Sequence, residues 1–419
     1  MSKKRGKAKS LAKKRRKERR LAQKQLLGKP EQEISVPTSS LQTVEVAQGQ
    51  PTGRPEQAIR LMIQPSDVWL FRDGKPFRAG EDHWATSRFP PTPLTMQGVI
   101  RSKILLHSQT DLAGYANNPE AYSISREIGG KGQDYGTLKL RGPYLARKNG
   151  GEWQRYYPLP ADVVKDKEKD EYHRLVLKKE RLIANWPVDH PYYLALPIRK
   201  AEPAFGWIST ADLQAYLIKG AAPEWEAVLR GEQIYRVENR FNFKVDRAPY
   251  RPERQYLTET GLIRLCPDIA LEVEVEGVSA WQPQEGYLGI GGEARTGYYQ
   301  IVNPAEPAIP GSNPLPSQFV LYFVTPAWFK NGWQPEDWSQ WFGGVSVRLV
   351  AAAVNRAERI GGWDIAQGEK PMKAYVPAGS VYYFECNGEV TYNGQPITDD
   401  LTEGQIGFGQ VLIGQWQNI

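Results

Sequence analysis

Ile59-Arg60-Leu61-Met62-Ile63, then Val68-Trp69-Leu70-Phe71, then Thr92-Pro93 leading into Met96, Val99, Ile100 and Ile104 sets out two strands and a helix. The first two runs are short, β-branched or aromatic, and bounded by Pro65 and by the charged stretch from Arg72. Proline keeps its predecessor extended and needs no helical N–H of its own, so Thr92 reads as an N-cap and Pro93 as the first helical residue. The four apolar residues that follow fall on one helical face.

Further strands are expected at Thr137–Leu140, Leu175–Leu177, Leu271–Val275, Phe319–Val324, Val345–Val350 and Val381–Phe384. A helix capped by Ser209 or Thr210 should run through Leu217. The mixed-charge run Lys165–Glu171 reads as a solvated hairpin or insertion. Strands in two groups with a few helices between them describe an α+β chain of two units joined near residue 230, giving 59–230 and 231–419. The five prolines from Asn303 to Pro316 suit a linker. An inserted loop is preferred there, because Gly286–Tyr299 and Phe319–Val324 look like neighbours in one sheet.

The chain has 419 residues, 40% hydrophobic, with 13 Trp, enough for more than one packed core. Its formal charge of +7 is unevenly placed. Residues 1–27 hold 13 Lys/Arg and one acid, Glu18, so the other 392 residues carry −5. Residues 1–58 are basic, then rich in Pro, Gln, Ser and Thr, and cannot bury a core; they read as a disordered arm, either solubilising or gripping RNA through counterion release. Cys266 and Cys386 lack any CxxC or CxxxH neighbourhood, which suits a reducing cytosol and offers no zinc site. No signal-peptide core or membrane-spanning run is present in the sequence, so a cytoplasmic protein without a membrane partner is expected.

Two glycine clusters fail as nucleotide sites. Gly289-Ile290-Gly291-Gly292-Glu293-Ala294-Arg295-Thr296-Gly297 is followed by Tyr298-Tyr299 where a P-loop needs Lys and Ser/Thr. Gly407-Phe408-Gly409 lies too near Ile419 for a dinucleotide fold. Both clusters are either ordinary tight turns or places where backbone approaches a phosphodiester. His83, His107, His173 and His190 are scattered and none sits in HExxH spacing, so no metal, cofactor or catalytic set is assigned. The loop from Arg72 to Phe89 mixes Arg72, Lys75, Arg78 and Arg88 with Phe77, His83, Trp84 and Phe89. That mixture suits phosphate neutralisation and base stacking, or a loop whose aromatics cover the core. Trp328, Trp333, Trp338 and Trp341 read first as core, second as a protein-docking surface.

Several of these segments, in order, resemble one family. Asp67-Val68-Trp69-Leu70-Phe71-Arg72-Asp73-Gly74-Lys75-Pro76-Phe77, Gly80-Glu81-Asp82-His83, Phe89-Pro90-Pro91-Thr92-Pro93 and Gly98-Val99-Ile100-Arg101 are similar to the N-terminal signature of the third Cmr subunit of type III-B CRISPR effector complexes, within the RAMP (repeat-associated mysterious protein) superfamily. Leu288–Arg295, Thr325-Pro326-Ala327, Gly361-Gly362-Trp363-Asp364, Lys370-Pro371-Met372-Lys373, Val376–Tyr382 and Gly407-Phe408-Gly409 continue the resemblance to about residue 416. Gly289-Ile290-Gly291-Gly292 carries one residue more than the leaner LGGE form, and the basic arm lies outside the pattern.

The resemblance implies two ferredoxin-like (RRM-like) units with long inserted loops and a noncatalytic role. Such a subunit holds the 5′ repeat-derived handle of the CRISPR RNA, docks the large polymerase-like Cmr subunit and abuts a repeated backbone RAMP subunit. Carried onto this sequence, the RNA-binding residues are Arg72, Lys75, Arg78, His83, Arg101, Arg240, Gly291, Gly292, Arg295, Lys370, Lys373, Gly407 and Gly409. Arg240 has an alternative as the partner of Glu238 or another acid. The competing function is a RAMP endoribonuclease that processes precursor CRISPR RNA with His83 as acid or base. A third is a scaffold that binds only other subunits.

If the arm grips RNA, deleting residues 1–27 flattens the salt dependence of binding, by ~0.7 in the log–log slope for each single-strand phosphate released. Filter binding over a salt series reads this directly, and an unchanged slope leaves the arm a solubilising role.

Overall fold

The computed structural model describes residues 58–72, 84–85, 87–179, 192–242, 258–279, 281, 283–302, 313–364 and 368–416. The arm expected over 1–58 thus lies, save for its last residue, outside the described residues. The fold is mixed, with mostly antiparallel sheets and few helices.

A seven-stranded antiparallel sheet runs in the spatial order Trp207–Ser209, Glu152–Pro158, Lys139–Asn149, Ile269–Glu276, Ile59–Pro65, Thr296–Ile301, Glu285–Gly289. Ile59–Pro65 and Lys139–Asn149 are both antiparallel to the strand between them, and so run parallel to each other. The helix Pro93–His107 lies on the connection from one to the other. Its start is as the sequence expects: Thr92 caps it, accepting from Thr95 N, and Pro93 is its first residue. Met96, Val99, Ile100 and Ile104 are buried in one core with Leu61, Ile63, Leu271, Val273 and Val275 of the sheet.

A second sheet of four antiparallel strands has the order Arg348–Ala353, Val381–Glu385, Gln318–Phe323, Val411–Gln415. In chain order its strands lie 2-3-1-4. The inner strands of the larger sheet, 139–149, 269–276, 59–65 and 296–301, repeat that 2-3-1-4 order. Both faces of the smaller sheet are covered. Val320, Tyr322, Val381 and Tyr383 face a core shared with Leu213, Tyr216 and Leu217 of the helix Thr210–Lys219. Phe319, Leu321, Phe323, Tyr382 and Phe384 face another, which takes in Trp338 and Trp341. This two-sided burial is why residues 319–324 read as an unbroken apolar run. It also bears out the core reading of those two tryptophans; Trp333 is nearly half exposed.

Three expectations change. Strands before and after residue 230 interleave in the seven-stranded sheet, so a boundary there would cut it; sheet membership changes instead between Ile301 and Gln318. Residues 285–301 and 318–323 accordingly belong to different sheets, not to one. Val68–Phe71 is extended but forms no strand: Trp69 exchanges both backbone hydrogen bonds with Ile263, while the Leu70 carbonyl accepts from Gly292 N, so no single neighbour builds a ladder.

The strand Ile269–Glu276 turns Ile269, Leu271, Val273 and Val275 to the helix side and Ala270, Glu272 and Glu274 to the other. Glu272 is fully buried there. Arg60 meets it in a two-pronged pair, Nε to Oε1 at 2.5 Å and Nη2 to Oε2 at 3.0 Å, and Arg155 Nε donates to Oε1 at 3.1 Å. Arg155 also reaches Glu274 and lies over the Tyr144 ring, 4.0 Å from its centroid. Burial pushes the Glu272 carboxyl up, yet the Arg155 charge and the Arg60 and Arg155 hydrogen bonds outweigh it and hold the carboxyl below its ordinary 4.5. A depressed folded pKa gives stability that is complete above the ordinary value and lost as pH falls through the folded one. Glu272→Gln should therefore cost ~3–5 kcal/mol at neutral pH, since it leaves buried guanidinium uncompensated. It should also flatten the acid limb of stability below about pH 4.5. Urea unfolding midpoints taken from neutral to acid pH check both.

Candidate nucleic-acid interface

Three segments that the sequence places far apart enclose one groove of about 520 Å³. The first wall is the extended run Leu70-Phe71-Arg72. The second is the start of the helix Pro93–His107, with Thr92, Thr95, Gly98 and Ser102 facing in. The third is the turn Gly289, Gly291, Gly292. Arg72 and Arg88 complete the lining, and among the described residues that line it none is an acid or a histidine.

The turn is bolted to the first wall. Gly292 N donates to Leu70 O at 2.8 Å, Ile290 N to Arg295 O at 2.9 Å, and Trp69 Nε1 to Thr296 O at 3.1 Å. Gly291 sits at φ 84°, and a Cβ there would lie 2.6 Å from Leu70 O, so glycine is required for this approach. Glu293 and Ala294 then follow in left-handed conformation, at φ 57° and 52°. Arg295 emerges from this turn with a 24% exposed side chain. Its Nη2 meets Glu293 at 3.3 Å, and its Nε is shielded from solvent with no hydrogen-bond partner.

The helix contributes field as well as shape. It is 15 residues long with no acid in its first turn, so the partial positive charge of its N-terminus is not neutralised from within. Gly98 is exposed on it, and a Cβ at that position would meet nothing within 4 Å. Arg88 N donates to Phe71 O, and its guanidinium pairs with Glu358, while burial lowers its pKa. Arg72 is exposed and bridges to Ser87 through the backbone. Two arginines, one of them paired with Glu358, two threonine hydroxyls, a serine hydroxyl and a helix N-terminus make a lining that suits a polyanion. The lining supplies no group of ordinary acid–base range.

The structure thus brings Arg72, Gly291 and Gly292 together, with Arg295 on the same turn. Lys75, Arg78 and His83 lie outside the described residues. Arg101, Arg240 and Lys373 have internal partners. Arg101 Nη2 donates to the Gly129 and Gly130 carbonyls, and its guanidinium lies 5.7 Å from the Tyr115 ring. Arg240 pairs with Asp67 at 3.2 Å and Glu238 at 3.4 Å, the alternative that its sequence neighbours suggested. Lys373 bridges Asp400 at 3.0 Å and Glu403 at 2.9 Å and lies over Trp328. Lys370 is half-buried on the strand Gly368–Tyr375, opposite Gly362.

Gly407 and Gly409 are buried, and their N–H groups go to Gly404 O and Pro326 O, so they offer no anion nest. They permit close chain approach, since a Cβ would come within 2.6 Å of Gly142 O and 2.5 Å of Ile397 O respectively. Sequence reasoning overlooked Thr95, Gly98 and Ser102. Their spacing along one helix face, beside the apolar stripe, was the available signal.

A family model described as "CRISPR-associated protein (Cas_Cmr3)" matches residues 61–416. Among solved structures, the chain is similar to one in the cryo-EM structure of the Type III-B Cmr-beta bound to cognate target RNA and AMPPnP, state 1. That match has 14% identity and a TM-score of 0.47, covering 84% of this chain and 96% of the other. A chain of the Type III-B Cmr-beta bound to cognate target RNA matches at 15% identity and TM-score 0.46, with the same coverage. No curated protein matches the chain.

Gly291→Ala should cost ~2 kcal/mol or more, from left-handed backbone and the Leu70 carbonyl clash together. Gly289→Ala, with open space at its Cβ, should stay within about 0.5 kcal/mol. Denaturant unfolding of the two variants makes the comparison.

Proposed function

The chain belongs to the CRISPR-associated Cas_Cmr3 family, and we propose that it serves as a noncatalytic RNA-binding subunit of a type III-B CRISPR ribonucleoprotein. In this reading it holds the 5′ repeat-derived handle of the CRISPR RNA, docks the large polymerase-like subunit and abuts a repeated backbone RAMP subunit in the cytoplasm. The observation that carries it is the groove between Leu70–Arg72, the N-terminus of the 93–107 helix and the Gly291–Gly292 turn, whose described lining residues include two arginines and no acid. Phosphates need cations and N–H dipoles, and a guide that reads by base pairing leaves its holder to supply these without a catalytic set.

The shared 2-3-1-4 strand order supports two ferredoxin-like units, the first interrupted by a long insertion between residues 150 and 268. Among the described residues no helix is long and apolar enough to cross a membrane.

The test uses the full chain co-expressed with the large subunit, and compares handle RNA with a scrambled RNA over a salt series. Gly98→Phe, at a position where a Cβ meets nothing within 4 Å, puts a bulky side chain at the groove, and Arg295→Ala removes the guanidinium of the adjoining turn. Each should weaken handle binding by about tenfold or more, ~1.4 kcal/mol, with unfolding midpoints unchanged and no RNA cut. Unchanged affinity in both variants would sink the groove assignment. Cleavage lost with His83→Ala would instead establish the endoribonuclease.

A further inference from the structure

The mixed-charge run from Lys165 to Glu171 has no part in the RNA reading, yet it closes a hairpin between Val163–Asp166 and Tyr172–Arg174. Val164 pairs with His173 and Lys165 with Tyr172, and Asp166 N donates to Glu171 O at 3.0 Å. Strand side chains alternate in direction, so this register puts Asp166, Glu171 and His173 on one face. Their donor atoms all lie within 4.8 Å of one another.

The imidazole decides what that convergence is for. His173 Nε2 is shielded from solvent and makes no hydrogen bond. It faces Glu171 Oε2 at 3.5 Å and Asp166 Oδ2 at 3.9 Å. Two donors of one tetrahedral ion, each about 2.0–2.2 Å from it, stand roughly 3.3–3.5 Å apart. The His173–Glu171 distance fits as it stands, and a small rotation of the half-exposed Glu171 side chain brings in the rest. Lys169 competes weakly: it is 64% exposed and 3.8 Å from the other Glu171 oxygen.

We propose that Asp166, Glu171 and His173 form a three-ligand site for a divalent transition ion of the zinc class, with a further position open to solvent. Two carboxylates balance the ion's charge, and the imidazole selects it over magnesium or calcium, which take oxygen ligands. The ion's effect is structural. Arg174, next to His173, donates from Nε to Asp162 at 2.8 Å. Asp162 is fully buried and accepts from Tyr216 of the 210–219 helix and Tyr383 of the four-stranded sheet. A metal that pins the hairpin thereby pins the hub joining the insertion to that sheet.

The test takes untagged full chain stripped with a chelator, titrates it with zinc or magnesium chloride, and measures retained metal by atomic emission after desalting. One equivalent of zinc is expected, with a raised unfolding temperature, and no such response to magnesium. His173→Ala and Glu171→Gln should each weaken zinc binding by about tenfold or more, while His107→Ala, on an exposed histidine, keeps it. No retained zinc, or zinc that survives both site substitutions, overturns the proposal. Should His173→Ala fail to fold, Glu171→Gln at its exposed position decides alone.

Discussion

Glu272 holds a charge where water does not reach, and the seven-stranded sheet is arranged so that two guanidinium groups meet it there. A lone buried carboxylate would cost far more than a sheet of this size can absorb. Arg60 lies on the neighbouring strand and Arg155 two strands away on the other side, so the ion cluster exists only when four strands are in register. A one-residue slip would send Glu272 into the apolar core and Val273 out of it. The cluster therefore contributes register at least as much as energy, which is the better-attested use of buried ionic groups.

With that register fixed, the opposite face of the sheet receives the 93–107 helix, and the helix N-terminus comes to rest beside the Leu70–Arg72 run. The Gly291 turn closes on the same run because the strand Thr296–Ile301 is the other neighbour of Ile59–Pro65. The groove is thus a by-product of strand order. Its three walls come from connections that the sheet forces to one place. Polar contacts tie the second sheet to its surroundings: buried Asp162 accepts from Tyr216 of the 210–219 helix and from Tyr383 of that sheet, and Gln410 Oε1, just before its strand Val411–Gln415, accepts at 2.6 Å from the OH of Tyr144 on the first sheet.

Much of this was legible along the chain because it is local. The Thr92-Pro93 cap, the Ser209 cap, the apolar face from Met96 to Ile104 and the strands at 271–275, 319–324 and 381–384 each follow from a few adjacent residues. The charged hairpin at 165–171 was legible for the same reason. The grouping of strands into sheets was not, because neighbours in space such as Lys139–Asn149 and Ile269–Glu276 lie far apart along the chain. The basic candidates divided for a similar reason: Arg101, Arg240 and Lys373 look alike in sequence to any cation, and their acceptors lie up to 173 residues away.

The sequence by itself determined the α+β class, the family resemblance carried by ordered short motifs, the charge of the N-terminal arm and the ends of the main helices, since caps, periodicity and composition act within a few residues. Only the tertiary structure decided which strands share a sheet, which glycines shape a groove and which merely pack, and which acids Arg240 and Lys373 pair with. Those outcomes rest on desolvation and partner distance, and both exist only once residues as far apart as Arg60 and Glu272 have come into contact.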